Sequence, residues 1–235
     1  MEALLPFVAA FALAGLAAWW QYKRIQRRWE GLFSFADTHA FQFSREDPFG
    51  LTHLPFWLFT QGDGRGCENV LWGEWDRLPI RLADYWYYEE SSDSKGRATR
   101  SYRRFSVGLV ELGWSVPHVS VRPEGVTSRV ADHMGFRDLQ FESDRFNRVF
   151  QVEADEREFA YQLLDQRMIA WLEPLEGFGF ETMGRYLLVW SDRLEPDDLT
   201  ALLAAAKGFR DRVPRLVWNE HGTGLEADRE ERSAP

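Results

Sequence analysis

The chain has 235 residues, of which 45% are hydrophobic and 15% aromatic, and its formal net charge is −9. Residues 1–30 hold four basic and two acidic residues, so the remaining 205 carry a net charge of −11. Because an acidic domain repels polyphosphate, this charge argues against general nucleic-acid binding. The only cysteine, Cys67, excludes an intramolecular disulfide, so the fold does not depend on an oxidising compartment.

The first element is an uncharged apolar run from Ala3 to Trp20. About 18 helical residues rise roughly 27 Å, which is close to the ~30 Å hydrocarbon core of a bilayer. Aromatic and basic residues stand at the end of this run and directly after it. Aromatic residues favour the membrane–water interface, and basic residues favour the cytoplasmic side. These predicted interface residues are Trp19, Trp20, Tyr22, Lys23, Arg24, Arg27 and Arg28. Residues 1–30 are therefore predicted to be a plasma-membrane anchor with its N-terminus outside and the following domain cytoplasmic.

Two other interpretations of this run are a cleaved signal peptide and a buried core helix. A signal peptide carries its positive charge before the apolar core, whereas Met1 and Glu2 precede this one. A core helix of this length would contain more polar residues. Ala10, Ala14 and Ala18 share one helix face, where small residues allow two membrane helices to approach closely. They predict a homodimer contact, with an unpartnered alanine-rich span as the alternative.

The rest of the chain predicts an α+β fold with an antiparallel sheet and several helices. Residues 31–219 form the predicted cytoplasmic domain, with two subdomains of about 36–141 and 142–219 as an alternative to one. Residues 220–235 are polar and charged and predict a disordered tail. An antiparallel meander is predicted from three strand-like segments, Val70–Trp75, Ile80–Glu90 and Arg103–Leu112.

Shorter elements are predicted from hydrophobic periodicity, helix caps and turn residues. The predicted strands are Phe41–Phe43, His118–Val121, Leu139–Phe141 and a hairpin of Phe178–Glu181 with Tyr186–Trp190 around Gly184. The predicted helices are Ile25–Phe41 as a continuation of the anchor, Glu124–Met134, a helix capped by Asp155, Gln166–Leu172 and a helix opened by Pro196. The apolar segment Leu54–Phe59 is predicted to be buried.

Two stretches of the meander are candidate binding surfaces. The interaction-surface candidates are Tyr85, Trp86, Tyr87 and Tyr88, whose side chains alternate between the two faces of a strand. The candidates for binding phosphate or anionic lipid headgroups are Lys95, Arg97, Arg100, Arg103 and Arg104, at ~1 kcal/mol for each basic residue at a bilayer surface. The alternative is a solvated hairpin tip whose arginines pair with Glu89, Glu90 and Asp93.

The sequence contains no recognisable catalytic or cofactor-binding motif. The five histidines are scattered without the spacing of metal ligands, so neither a metal nor a cofactor is predicted. Gly62, Gly64 and Gly66 resemble part of a phosphate loop, but the strand-like residues that follow favour a turn into a sheet. Cys67 is a candidate nucleophile without an identified base.

Several segments resemble a family of bacterial single-pass membrane proteins without an assigned activity. They are Glu46–Gly50, Asn69–Gly73, Asp84–Asp93, Phe146–Arg148, Leu163–Met168 and Gly208–Pro214. The resemblance covers most of residues 20–218 and implies the same single-pass layout. It supplies no catalytic or binding residues.

Three functional hypotheses follow from the sequence. The first is a scaffold or protein-interaction module at the inner leaflet, with an unidentified protein partner. The second is a module that binds anionic lipid headgroups through Lys95–Arg104. The third is a membrane-tethered enzyme of an unrecognised class, for which no catalytic residue is predicted.

Overall fold

The computed structural model describes residues 5–92, 96–124 and 139–221, with side chains from residue 11 to residue 218 within these ranges. The helices are α1 (Leu5–Thr38), α2 (Asp144–Val149), α3 (Arg157–Leu163), α4 (Gln166–Leu172), α5 (Leu199–Arg212) and α6 (Arg215–His221). The strands are β1 (Gln42–Ser44), β2 (Gly64–Trp75), β3 (Leu78–Ser92), β4 (Ala98–Pro123), β5 (Phe150–Ala154) and β6 (Phe178–Asp192). Three-residue to four-residue 3-10 helices lie at Leu51–His53, Trp57–Thr60 and Pro196–Asp198.

The described strands form one antiparallel sheet in which β1, β2, β3 and β4 are successive neighbours. The opposite edge of β4 pairs with β6, and the last residues of β4 also pair with β5. This confirms the predicted α+β fold with an antiparallel sheet and several helices. Since β4 pairs with both β5 and β6, the sheet continues across the boundary suggested at residue 141.

Helix α1 is a single helix of 34 residues that continues well beyond the predicted anchor. Its last two turns bury Leu32, Phe35 and Ala36 against the domain, whereas its side chains from residue 11 to residue 25 are exposed. Among the described residues, no helix combines the length and the apolar character that a bilayer crossing needs. The predicted span begins at Ala3, and the side chains of residues 1–10 lie outside the described part.

Strands β4 and β6 are long and strongly bent, which corrects two predictions. His118–Val121 is the end of β4 and not a separate strand, and the predicted hairpin around Gly184 is the continuous strand β6. Gly113 and Gly184 have positive φ values of 84° and 54°, which L side chains rarely adopt. Because both glycines lie where the ladder changes register, they bend the strands instead of ending them.

The bend brings the two ends of β6 together. A Cβ atom on Gly179 would lie 2.1 Å from the ring of Trp190, eleven residues further along the strand. A straight strand would separate these residues by roughly 36 Å. The ring of Trp190 therefore occupies the space that a side chain at position 179 would need.

We expect Gly179→Ala to lower the free energy of unfolding by about 1–3 kcal/mol, because the added methyl group overpacks the core against Trp190. Thermal and urea unfolding in mild detergent, followed by tryptophan fluorescence, measure the effect. Gly177→Ala is the matched control, since a Cβ atom there meets nothing within 4 Å. Equal unfolding midpoints for the two variants would contradict the bend.

Each face of the sheet has its own core. The helices cover one face, where Leu82, Val110 and Leu187 are buried. The segment with two 3-10 helices covers the other face, where Phe56, Leu58 and Phe59 pack on the sheet. This confirms that the segment Leu54–Phe59 is largely buried, because it closes a face that would otherwise be open.

Three smaller predictions differ from the structure or lie outside it. Leu139–Phe141 is irregular, although the backbone N–H of Leu139 donates to the carbonyl oxygen of Val152. Glu156, and not Asp155, is the cap residue of α3. Most of the predicted helix Glu124–Met134 and most of the tail 220–235 lie outside the described residues.

Candidate functional site

A buried ion pair joins α1 to the sheet. Arg28 of α1 donates from Nε to Oδ2 of Asp84 at 2.7 Å and from Nη2 to Oδ1 at 2.5 Å. Asp84 also accepts hydrogen bonds from Asn69 and Arg193, at 2.9 Å and 3.2 Å. The third donor of Arg28, Nη1, reaches the carbonyl oxygen of Leu194. Such bidentate pairing fixes the position of the guanidinium group as well as its charge.

The ion pair corrects the prediction that Arg28 belongs to an exposed collar, because Arg28 is only 9% exposed and faces the sheet. The sequence alone could not distinguish Arg28 from the neighbouring exposed basic residues, since its partner Asp84 lies 56 residues away. The other predicted interface residues are exposed, with the guanidinium group of Arg24 5.9 Å from the ring of Trp20. Ala14 and Ala18 are also exposed, whereas the side chain of Ala10 lies outside the described part.

The contacts of α1 show which way its exposed half points. Phe35 packs on Phe41, which covers Gly73 of β2, and Gly73 pairs with position 80 of β3. Seven residues earlier in α1, Arg28 reaches Asp84 of β3. Towards its N-terminus, α1 therefore advances along β3 from position 80 to position 84, in the direction of the β3–β4 hairpin.

The hairpin carries an aromatic–arginine patch, which consists of Trp86, Tyr88, Arg100, Tyr102 and Arg104. Trp86 pairs with Arg104 across the two strands, and Tyr88 pairs with Tyr102, so all these side chains share one face of the sheet. The rings of Trp86 and Tyr88 are stacked with centroids 6.3 Å apart, and the Tyr102 ring lies 5.4 Å from that of Tyr88. Arg100 lies 4.5 Å above the Tyr88 ring, and Arg104 lies 5.5 Å above that of Tyr102.

Two glycines of β2 allow the patch to lie flat on the sheet. A Cβ atom on Gly64 would lie 2.5 Å from the Tyr88 ring, and one on Gly66 would lie 2.8 Å from the Trp86 ring. The rings therefore cover the backbone of β2 and present their outer faces away from the strands. Gly64 and Gly66 are strand residues of β2 with a packing role, so the predicted turn does not extend to them and they do not form a phosphate loop.

The structure divides the predicted interaction surface between two environments. Tyr85 and Tyr87 are buried, at 0% and 4% exposure, in the core under the 3-10 segment, so they do not form a free surface. Tyr85 donates a hydrogen bond to the carbonyl oxygen of Leu58. Trp86 and Tyr88 are half-buried on the opposite face. Only these two of the four candidates remain available to a partner.

The predicted basic cluster is also divided. Arg100 and Arg104 belong to the patch, whereas Arg103 lies on the other face opposite Tyr87. Arg100 pairs with Glu90 at 2.7 Å, which is one of the cross-strand pairs expected for a solvated hairpin. Arg97 is exposed next to β4, and Lys95 lies outside the described residues.

A second polar cluster, which sequence reasoning did not find, lies on the bent part of the sheet. His118 of β4 contacts Glu181 of β6 at 2.8 Å through Nε2 and Asp155 at 3.6 Å through Nδ1. Glu181 is fully buried and also accepts a hydrogen bond from the backbone N–H of Trp57 at 2.6 Å. The guanidinium group of Arg122 lies 4.2 Å from the Trp57 ring.

This cluster does not have the geometry of a catalytic triad. The hydroxyl group of Ser120 lies on the same face of β4, but both ring nitrogens of His118 already face carboxylates. The imidazole is therefore not placed to take a proton from Ser120. Burial raises the pKa of the Cys67 thiol well above its usual value, with added effects of Asp47, Asp84 and Glu68, so Cys67 is not a thiolate at neutral pH.

We expect the stability of the domain to fall as the pH rises, through His118. Burial alone lowers the pKa of His118, but the hydrogen bond and charge of Glu181, followed by those of Asp155, outweigh it and raise the pKa above 6.5. The folded state therefore binds the proton more tightly than the unfolded state does. The stabilisation is present in full below about pH 6.5 and is lost as the pH rises through the raised pKa.

Thermal unfolding in detergent at a series of pH values measures this effect. His118→Gln removes the titrating group, so its melting temperature should change less over the same range. If the wild type and His118→Gln have parallel profiles, another group is responsible.

The described residues hold no group of three or more histidine, cysteine or acidic side chains suited to a metal ion. A shallow recess of about 170 Å³ lies between α1 and α5, lined by Ser34, Phe35, Thr38, His39, Asp197 and Thr200. Pockets for small molecules are typically about 300–1,000 Å³. The recess is therefore too small to serve as a typical substrate site.

Comparisons with known proteins identify a shared fold. No protein-family model matches the chain, and no curated protein matches it. The crystal structure of the mycobacterial trehalose monomycolate transport factor A, TtfA, is similar, with a TM-score of 0.57 and 17% sequence identity. The similarity covers 79% of this chain and 92% of the TtfA chain. At this identity it establishes a common fold and no common activity.

Proposed function

We propose that the protein is a membrane-anchored interaction module, whose N-terminal segment inserts into the plasma membrane and holds the α+β domain at the cytoplasmic surface. The observation that carries this proposal is the uncovered half of α1. Phe11, Leu13 and Leu16 are 79%, 67% and 62% exposed, although they are large and apolar. Exposed apolar surface on several sides of one helix fits lipid better than water.

The residues that follow support the same placement. Trp19, Trp20 and Tyr22 are more than half exposed, and their amphipathic rings suit the membrane–water interface. Lys23, Arg24 and Arg27 come next and are exposed, which favours retention of this end on the cytoplasmic side. The apolar run begins at Ala3, so residues 3–10 would contribute to the inserted segment.

The Arg28–Asp84 pair gives this anchor a mechanical role. Because the pair is buried and bidentate, the domain cannot turn freely about the end of α1. Insertion of the helix would therefore orient the sheet relative to the bilayer as well as tether it. A fixed orientation is useful to a module that presents a surface to a membrane-embedded partner.

Extraction of cell membranes with alkaline carbonate tests the proposal on the full chain. We expect the protein to remain in the membrane pellet and to be released only by detergent. Recovery of the full chain in the soluble fraction, before any extraction, would contradict the anchor.

A second candidate function is a component of a lipid-transport assembly, and the shared fold with TtfA supports it. This candidate specifies the partner as a membrane-embedded transport protein. The test is affinity purification of the full chain from detergent-solubilised membranes after chemical cross-linking. Enrichment of a transport protein, lost when the anchor is disrupted, would support it. Recovery of no membrane protein would contradict it.

A further inference from the structure

We infer that the aromatic–arginine patch is a second membrane contact, which binds the anionic surface of the same bilayer that holds α1. The inference rests on the proposed anchor and specifies how the domain lies against the membrane. It concerns the face of the β3–β4 hairpin that carries Trp86, Tyr88, Arg100, Tyr102 and Arg104.

The first argument is position. Phe35 is linked through Phe41 and Gly73 to the level of position 80 of β3, and Arg28, about 10 Å further along α1, contacts Asp84, about 13 Å further along β3. Because α1 continues as one helix in this direction, its exposed aromatic and basic residues at positions 19–24 approach the level of Trp86 and Tyr88. The patch and the predicted interface residues of α1 therefore lie towards the same end of the sheet.

The second argument is chemistry. Aromatic rings with a polar edge and arginine side chains are the residues that favour the headgroup region of a bilayer. The patch combines three such rings with two arginines, and Tyr102 is 46% exposed. The guanidinium group of Arg104 lies over Tyr102, and no described carboxylate pairs with it. It can therefore meet a lipid phosphate without breaking an ion pair within the described residues.

The third argument is charge complementarity. The chain outside residues 1–30 carries a net charge of −11, which an anionic bilayer repels. The outer end of the described hairpin differs from the rest of the domain in charge. It carries Arg97, Arg100, Arg103 and Arg104, against Glu89 and Glu90 on β3 and Asp63, which accepts a hydrogen bond from the backbone N–H of Glu90. The end of the sheet nearest the anchor is thus the end that an anionic surface attracts.

Depth-dependent fluorescence quenching in vesicles tests this inference with the full chain. Cys67→Ala removes the native thiol, and single cysteines carry an environment-sensitive dye at three positions. Ala98→Cys reports the patch face of the hairpin, Tyr22→Cys reports the anchor, and Glu74→Cys is the matched control on an exposed strand position at the opposite end of the sheet. Nitroxide lipids labelled at the headgroup are the quencher, in vesicles containing phosphatidylglycerol.

We expect quenching of the dyes at positions 98 and 22 and little quenching at position 74. Reversal of charge in Arg100→Glu/Arg104→Glu should reduce quenching at position 98 to the level at position 74. Arg100→Lys/Arg104→Lys keeps the positive charge and should therefore preserve the quenching at position 98. In vesicles of phosphatidylcholine alone, quenching at position 98 should be reduced in the same way, whereas the dye at position 22 should remain quenched.

The outcomes separate this inference from the proposed anchor. Quenching at position 22 without quenching at position 98 overturns the second contact and leaves the anchor intact. A patch that binds a protein instead would give this result, because the vesicles contain no partner. Absence of quenching at both positions overturns the anchor and the inference together. Quenching at position 98 that does not depend on charge overturns recognition of the anionic surface.

Discussion

Asp84→Ala should cost about 3–5 kcal/mol of folding free energy, which is a large share of the stability of a typical domain. The substitution removes the carboxylate that faces Arg28 and Arg193 and leaves two cations close together in a mostly buried place. Breaking such a pair is costly because the remaining charge cannot regain its hydration. Burial already lowers the pKa of Arg193, which Asp84 opposes, so loss of the carboxylate makes its charged form less favourable still.

Urea and thermal unfolding in mild detergent measure this loss, and amide hydrogen exchange shows where it acts. Exchange should increase around Arg28 in α1, since the helix loses its link to β3. Glu90→Ala is the matched control on the same strand, because it breaks an exposed pair with Arg100 and should leave the melting temperature unchanged. If both substitutions have equal effects, the Arg28–Asp84 pair does not stabilise the docking of α1.

Much of the local structure can be predicted from sequence. The alternation of Tyr85, Trp86, Tyr87 and Tyr88 between two faces follows from strand geometry, and the structure confirms it. What strand geometry does not specify is which face the rest of the chain covers. Tyr85 and Tyr87 are buried because residues of the segment Leu51–Thr60 pack on their side of the sheet. This packing is a tertiary contact, which the local sequence pattern does not encode.

The bent strands β4 and β6 show a second reason why some elements were predicted wrongly. Glycines and prolines normally end strands, so Gly184 predicts a turn and Pro117 predicts a strand boundary. In the structure both β4 and β6 continue through these residues, and the pairing between them changes register on either side of Val116 instead of ending. The end of β4 and the start of β6 then bring His118 and Glu181 together, 63 residues apart in sequence. No local pattern encodes that contact.

The largest effect on localisation is expected from Leu13→Arg/Leu16→Arg. An arginine near the centre of an inserted helix costs about 2.5–3.5 kcal/mol, so two should weaken insertion by roughly 5–7 kcal/mol. This corresponds to a change in partition of roughly 4 × 10³-fold to 10⁵-fold. Both leucines are exposed on α1, so the substitutions remove no packing within the domain.

Membrane flotation of the full chain measures the change, which should move the protein from the membrane fraction to the soluble fraction. Phe33→Arg/Ser34→Arg is the matched control, because it places two arginines at exposed positions on the docked half of the same helix. That variant should float with the membranes as the wild type does. Equal flotation of the leucine variant would show that these positions do not enter the bilayer.

The central claim is that the uncovered half of α1 lies in lipid, and the depth of a single side chain tests it most directly. A dye on Leu16→Cys, in the Cys67→Ala chain reconstituted into nanodiscs, can be quenched either from the acyl region by nitroxide lipids or from water by iodide. Strong quenching by acyl-chain nitroxides with protection from iodide is the predicted result. Free access of iodide to position 16 would contradict it.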